Sequence, residues 1–173
     1  MIANSYKDFI STFPDFPKKG IFFKDISPIL KNPTIFESVI NEMSNCSFLE
    51  EADSLIAIDA RGFIFGSALA IKLKKPLILA RKKNKLPGEL IEKNYGLEYG
   101  EDSLSIQKSS LLDIKRPAII DDILATGGTA NCILDLLKKE NKEVQCLLVF
   151  LELSQLKGRD NINLPVHSVL KLD

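Results

Sequence analysis

The sequence predicts an α/β fold in which a mostly parallel central sheet is flanked by helices. Short apolar runs recur at Ser54–Ile58, Pro76–Ala80, Ala118–Ile120 and Glu143–Leu151, each about the length of a buried strand. Two of them lead through a small-residue turn into a longer periodic segment, Phe63–Leu73 and Asn131–Lys139, that reads as a helix. Strands alternating with helices close into parallel sheets by right-handed crossovers, and such sheets bind ligands at the carboxyl ends of their strands.

Length and composition set the bounds. At 173 residues one domain suffices. Lys plus Arg total 23 and Asp plus Glu total 23, so no overall positive field draws the chain to nucleic acid or to a membrane surface, and any anion binding must be local. The first residues lack the basic start and apolar core of a secretory signal, and no run approaches the ~20 apolar residues of a spanning helix. Cys46, Cys132 and Cys146 are odd in number and widely spaced, which disfavours a disulfide framework and a zinc site. A soluble protein of a reducing compartment, the cytoplasm, is expected.

Taken in order, Phe9, Phe13 and Phe16 with Pro14 and Pro17 make an entry that cannot be a long helix and reads as a small cap. In the stretch Lys19–Pro28, Phe22 and Phe23 are adjacent, so in an extended chain one can face the core and the other a ligand. Asn32-Pro33 is an N-cap with proline in the first turn, opening an amphipathic helix from Thr34 to Met43. Ser54–Ile58 ends at Asp59-Ala60-Arg61-Gly62, where the rigid fork of Arg61 suits a pyrophosphate, a surface ion pair being the alternative. Lys72, Lys74 and Lys75 read as a solvated helix end.

Pro76–Ala80 runs into the basic turn Arg81-Lys82-Lys83-Asn84-Lys85, and the segment Leu86–Glu101 beyond it shows no clear periodicity, as in a lid. Leu104 and Ile106 alternate with Ser103, Ser105 and Gln107, a half-exposed strand returning from that lid. After the strand Glu143–Leu151, a loop begins at Glu152-Leu153-Ser154. His167, the only histidine, has no His or Cys partner in the sequence and reads as structural.

The richest chemistry lies at Ile119–Ala130. Gly127 and Gly128 can take positive φ and let backbone amides approach an anion, while Thr126 and Thr129 add hydroxyl donors at a helix N-terminus. A P-loop would need Gly-Lys-Ser/Thr here, and the dinucleotide fingerprint needs three glycines at wider spacing, so both are excluded. Asp121 and Asp122 would repel a phosphate beside them; they accept hydrogen bonds from sugar hydroxyls or face a metal-bound water. Phosphate at one end and two acceptors at the other describe a ribose 5-phosphate.

Residues 119–130, with Asp-Asp-Ile-Leu-Ala-Thr-Gly-Gly-Thr at their centre, resemble the signature of the type I phosphoribosyltransferases, which bind phosphoribosyl pyrophosphate (PRPP). The form is most similar to that of the adenine phosphoribosyltransferases, and the similarity extends from about Phe13 to Arg159. The resemblance implies the fold of that family: a single domain over residues 1–173, with a small N-terminal base-binding hood in 1–33 and a flexible catalytic loop in 81–102.

It further implies that Phe22 and Lys24 read the base through backbone groups, that Phe23 stacks on it, and that Leu153 covers its other face. Ala60, Arg61, Lys82 and Lys85 would meet pyrophosphate, together with Arg81, which in the family can reach a partner subunit's site. Ala125, Thr126, Gly127, Gly128 and Thr129 would hold the 5-phosphate, and Asp121 and Asp122 the ribose. Glu98 would handle the proton of the base, with Tyr99 packing in the lid. In the family the peptide before the residue matching Ala60 is commonly cis. Two positions depart from the family pattern, Lys24 for the more frequent Arg and Ala60 for the more usual Ser.

The activity so implied is transfer of ribosyl 5-phosphate from PRPP to adenine, giving AMP and pyrophosphate in purine salvage. Mg²⁺ would be carried by the donor and water with no direct protein ligand, and a homodimer is the expected assembly. Xanthine, hypoxanthine or orotate as the base, and a PRPP-sensing regulator of nucleic acid, are the competing readings; balanced charge and short length weigh against the second.

Overall fold

The computed structural model describes residues 6–97 and 100–173, and over 95–102 the backbone alone. The chain divides into two compact units, residues 1–42 and 43–173.

The first unit opens with a 3-10 turn, Tyr6–Phe9, followed by β1 (Ser11–Pro14) and β2 (Phe22–Asp25), which pair antiparallel with Phe13 opposite Phe23 and Thr12 opposite Lys24. Asp15 Oδ1 accepts the Gly20 N–H at 2.6 Å and closes the connecting turn, which contains a cis Phe16-Pro17 bond. The two adjacent phenylalanines do part company: Phe22 is 64% exposed, while Phe23 is half-buried and edge-on to Phe16 with ring centroids 5.2 Å apart. A short helix, α1 (Ser27–Lys31), was not expected; Pro28 suits its first turn, and Asp25 Oδ1 accepts from both the N–H and the hydroxyl of Ser27. Helix α2 (Pro33–Ser44) starts as predicted, with Asn32 Oδ1 accepting the Ile35 N–H at 3.2 Å. Tyr6 fastens the entry to it, its hydroxyl 2.9 Å from Ser38 Oγ and donating to Glu42 at 3.2 Å.

The second unit is the predicted α/β layer structure. In chain order it holds β3 (Ser54–Ile58), α3 (Gly62–Leu73), β4 (Leu77–Lys82), β5 (Leu90–Leu97), β6 (Gly100–Gln107), β7 (Pro117–Leu124), α4 (Gly128–Lys139), β8 (Leu147–Leu153) and β9 (Val166–Leu172). The seven strands lie in the order β5-β6-β4-β3-β7-β8-β9, parallel from β4 to β9 and antiparallel where β6 joins β4 and β5. One face buries Ile56, Ile58, Ile119 and Val149 together with Ile133, Leu136 and Leu137 of α4. Phe65 of α3 stacks on Phe150 of β8, ring centroids 5.9 Å apart.

This order decides where a ligand goes. From β3 the chain crosses through α3 to β4 on one side, whereas from β7 it crosses through α4 to β8 on the other. The direction of winding therefore reverses between β3 and β7, and open α/β sheets bind ligands in the crevice at that reversal. The loops leaving the carboxyl ends of β3 and β7 are Asp59–Arg61 and Ala125–Gly127, so the two anion loops picked from the sequence flank one crevice.

Five expectations change. The segment 86–101 is not wholly irregular: β5 and β6 form a hairpin paired from Leu90–Gln107 out to Leu97–Gly100. Its period-2 signal is hidden because Lys93, in line with buried Ile91, faces helix α4 and forms an ion pair with Asp135. Strand β6 is not half-exposed, since Ser103 and Ser105 are buried like Leu104 and Ile106, with Ser105 Oγ donating to Arg81 O at 3.2 Å. Arg81 and Lys82 end strand β4 rather than starting a turn, and β8 runs on through Glu152 and Leu153. Lys75 is no solvated helix end, for its ammonium donates to Leu49 O at 2.7 Å and to Ala52 O. The three cysteines are buried and none forms a disulfide among the described residues, and no helix among the described residues is long and apolar enough to cross a membrane.

Candidate active site

The Ala125–Thr129 loop forms one wall of a recess whose lining includes Asp121, Thr126, Gly127, Gly128 and Thr129, floored by Leu147 and Val149. Gly127 is the N-cap of α4 at φ 86, and its carbonyl accepts the Asn131 N–H at 2.9 Å, so the amides of the first turn of α4 have no partner inside the helix. A side chain at 127 is excluded twice over, by that positive φ and because a Cβ would stand 2.9 Å from Gly158 O. The strand and loop carry no lysine, and the open amides supply the positive end of the helix to an anion.

The acid pair splits across the strand. Asp121 lines the recess, and its Oδ1 accepts the Asp122 N–H at 2.9 Å. Asp122 carries Arg61, with Nε 2.8 Å from its Oδ2. Burial pushes both carboxyls up, Asp121 well up, reinforced by the Asp122 charge, and Asp122 against the pull of Arg61. A desolvated acceptor of this kind gains from any hydroxyl donor delivered to it. Helix α3 begins hard against the same strand: a Cβ on Gly62 would lie 2.9 Å from both Asp121 Oδ1 and Ile120 O.

The Asp59–Ala60 peptide is cis. Asp59, which the sequence did not single out, ties this loop to β4 by accepting from Arg81 Nε at 3.2 Å. Arg81 also lies over the Phe63 ring, 5.7 Å from its centroid, and donates to Lys85 O at 3.4 Å. Arg81 is thus engaged within its own chain, while Lys82 at the end of β4 and Lys85 in the turn are exposed. Arg61, Asp121, Asp122 and residues 125–129 are therefore brought together, with Ala60 in the facing loop. Phe22, Phe23 and Lys24 sit on β2 of the first unit, where Lys24 Nζ donates to Thr12 Oγ1 at 3.0 Å, and Leu153 is the half-buried last residue of β8. Glu98 and Tyr99 lie outside the described residues.

A second missed group stands behind the Ala125–Thr129 loop. In the turn 158–161, Asn161 Nδ2 donates to Thr126 O at 3.1 Å, and Asn131 Nδ2 donates to Asn161 O at 3.0 Å. Arg159 reaches the buried Glu152 through Nε at 2.9 Å and through Nη2, and donates to Val166 O at 2.6 Å; Ser168 Oγ adds a bond to Glu152 at 2.6 Å. A lone glycine and asparagine after a strand carry too little signal to be found from sequence.

Hydrogen bonds from Arg159 and Ser168 lower the Glu152 carboxyl from its ordinary 4.5 to about 2. A depressed carboxylate stabilises the fold above its unfolded pKa and loses that contribution as pH falls through its folded value, here from 4.5 down through about 2. Glu152→Gln is expected to lower stability by ~1–3 kcal/mol at pH 7 and to flatten the acid limb of the melting temperature, measured by calorimetry between pH 7 and 2. Parallel acid limbs in the two proteins would remove Glu152 from that role.

Residues 25–171 match the family model described as the phosphoribosyl transferase domain, and the chain belongs to the phosphoribosyltransferase family. It is 52% identical to an adenine phosphoribosyltransferase of Prochlorococcus marinus over 99% of this chain and 100% of that protein. Among solved structures, the adenine phosphoribosyltransferase of Thermoanaerobacter pseudethanolicus is similar with a TM-score of 0.91 at 39% identity, covering 98% of this chain and 99% of that one. The Saccharomyces cerevisiae enzyme, complexed with an imino-altritol bisphosphate and adenine, has a TM-score of 0.87 at 35% identity, covering 97% of this chain and 98% of that one.

Proposed function

We propose that the chain transfers the 5-phosphoribosyl group of PRPP to adenine, giving AMP and pyrophosphate, and that it does so in the crevice between the β3 and β7 loops. The observation that carries this reading is the convergence there of a lysine-free amide nest, a half-buried acceptor and an arginine-bearing loop. In this reading the Ala125–Thr129 amides and hydroxyls grip the 5-phosphate, and Asp121 accepts from the ribose hydroxyls. Binding energy at that remote phosphate helps position the anomeric carbon.

Departure of pyrophosphate leaves positive charge on the ribose ring, so the leaving group must be held electrostatically. Arg61, oriented through Nε by Asp122, serves it together with Lys82 and Lys85. The Asp121–Asp122 pair offers carboxylates that fit a Mg²⁺ carried by PRPP and met through water; such an ion would neutralise charge on the diphosphate. Glu98 takes the proton of the base, and closure of the 81–102 segment keeps water from the sugar. A homodimer completes the proposal, to be read by light scattering as twice 19.3 kDa.

Incubation with PRPP, Mg²⁺ and each base in turn tests the function: adenine should release pyrophosphate and yield AMP, and preferential release with hypoxanthine, xanthine or orotate would overturn it. Asp121→Asn should raise the PRPP Michaelis constant by about tenfold, as expected for losing a hydrogen bond to a charged acceptor. An unchanged value would place the ribose elsewhere.

A further inference from the structure

We infer that Asn161 is a positioning residue for the phosphate loop, acting through the Thr126 carbonyl. The inference rests on the reading of Thr126–Thr129 as the seat of the 5-phosphate. A loop that grips an anion with backbone amides has a difficulty of its own: its peptide planes can rotate, and half of the orientations present a carbonyl where a donor is needed. The Asn131 N–H on Gly127 O at 2.9 Å holds the Gly127–Gly128 peptide, but nothing in the sequence holds the Thr126–Gly127 peptide, and glycine at 127 makes its rotation easy.

The structure supplies the restraint from outside the loop. Across a trans peptide the C=O of one residue and the N–H of the next point to opposite sides. The Asn161 amide holds Thr126 O toward the 158–161 turn at 3.1 Å, which sets the N–H of Gly127, a residue lining the recess, on the opposite side of that peptide plane.

Three further contacts keep the turn in place. Asn131, in the first turn of α4, donates to Asn161 O at 3.0 Å, so the helix that presents the amides also fixes the residue that orients them. Gly158 is buried, and a Cβ there would fall within the van der Waals envelope of Ala125 O, which lets the turn lie directly on the loop backbone. Arg159, between them, is clamped to Glu152 and to Val166 O at 2.6 Å, tying the turn to strands β8 and β9. The loop is thus held between a helix and two strands, and the side-chain amide of Asn161 is the contact that sets its polarity.

The test is titration of ribose 5-phosphate into ¹⁵N-labelled wild type, Asn161→Ala and Asn131→Ala, with steady-state kinetics and melting curves on the same proteins. In wild type the Gly127 and Gly128 amide resonances should shift. Asn161→Ala should weaken ribose 5-phosphate about three- to tenfold, the loss of one neutral hydrogen bond, and raise the PRPP Michaelis constant by a similar factor. Its turnover at saturating donor and its adenine Michaelis constant should stay within about twofold. Asn131→Ala should move the same quantities less. Wild-type shifts with unaltered affinity in both variants would overturn the positioning role and leave the phosphate seat standing. An absence of shifts at Gly127 and Gly128 in wild type would overturn the seat and the inference together. A lowered melting temperature in Asn161→Ala with donor affinity intact would count against the inference by showing a structural bond only.

Discussion

Glu98→Gln should lower turnover by ~10²–10⁴, the usual contribution of a general acid or base, while PRPP binds as before. The argument is chemical. When N9 of a purine attacks the anomeric carbon, the ring must lose a proton, and a carboxylate brought out of water beside the base gains the basicity to take it. Glutamine keeps the size and polarity of the side chain and removes only that capacity. Glu98 follows Leu97, whose backbone pairs with Gly100 to end the β5–β6 hairpin. A donor dissociation constant measured by calorimetry, alongside turnover, separates the two effects. Near-normal turnover would take Glu98 out of the chemistry.

Gly127→Val should cost the donor roughly 10²-fold in kcat/KM. A β-branched residue is a genuine outlier at positive φ, and strain of this kind is worth of order 1–3 kcal/mol before any clash. Here φ is 86, and the new Cβ would meet Gly158 O at 2.9 Å, a backbone atom in a turn fixed by Asn161 and Arg159. Relief must come from the Ala125–Thr129 loop, and the amides move with it. Gly127→Ala should fall between wild type and Val. Melting curves accompany the kinetics, since strain on this scale lowers the melting temperature by several degrees in a domain of this size. Donor kinetics unchanged in the valine variant would show that the loop conformation does not matter to PRPP.

Much of this was legible in the residues themselves. The strand-loop-helix units at 54–73 and 118–139 follow from apolar runs ended by small residues, and the parallel sheet follows from them. Gly127 and the acid pair announce their chemistry because glycine and adjacent carboxylates are costly without a purpose. Other features could not be read, because they depend on partners distant in sequence. Lys93 disguises strand β5 since its counter-charge, Asp135, lies on a later helix. Lys75 looks like a surface lysine until the carbonyls of Leu49 and Ala52 are placed around it. Asp59 orders the loop only through Arg81, and Asn161 reaches Thr126 from 35 residues away. In each case the side chain is ordinary and its neighbour supplies the meaning.

A crystal structure with AMP bound tests the central claim most directly. The account predicts the 5′-phosphate within hydrogen-bond distance of the Gly127 and Gly128 amides, with the ribose hydroxyls toward Asp121. A phosphate lodged away from residues 125–129, with the ribose hydroxyls remote from Asp121, would contradict it.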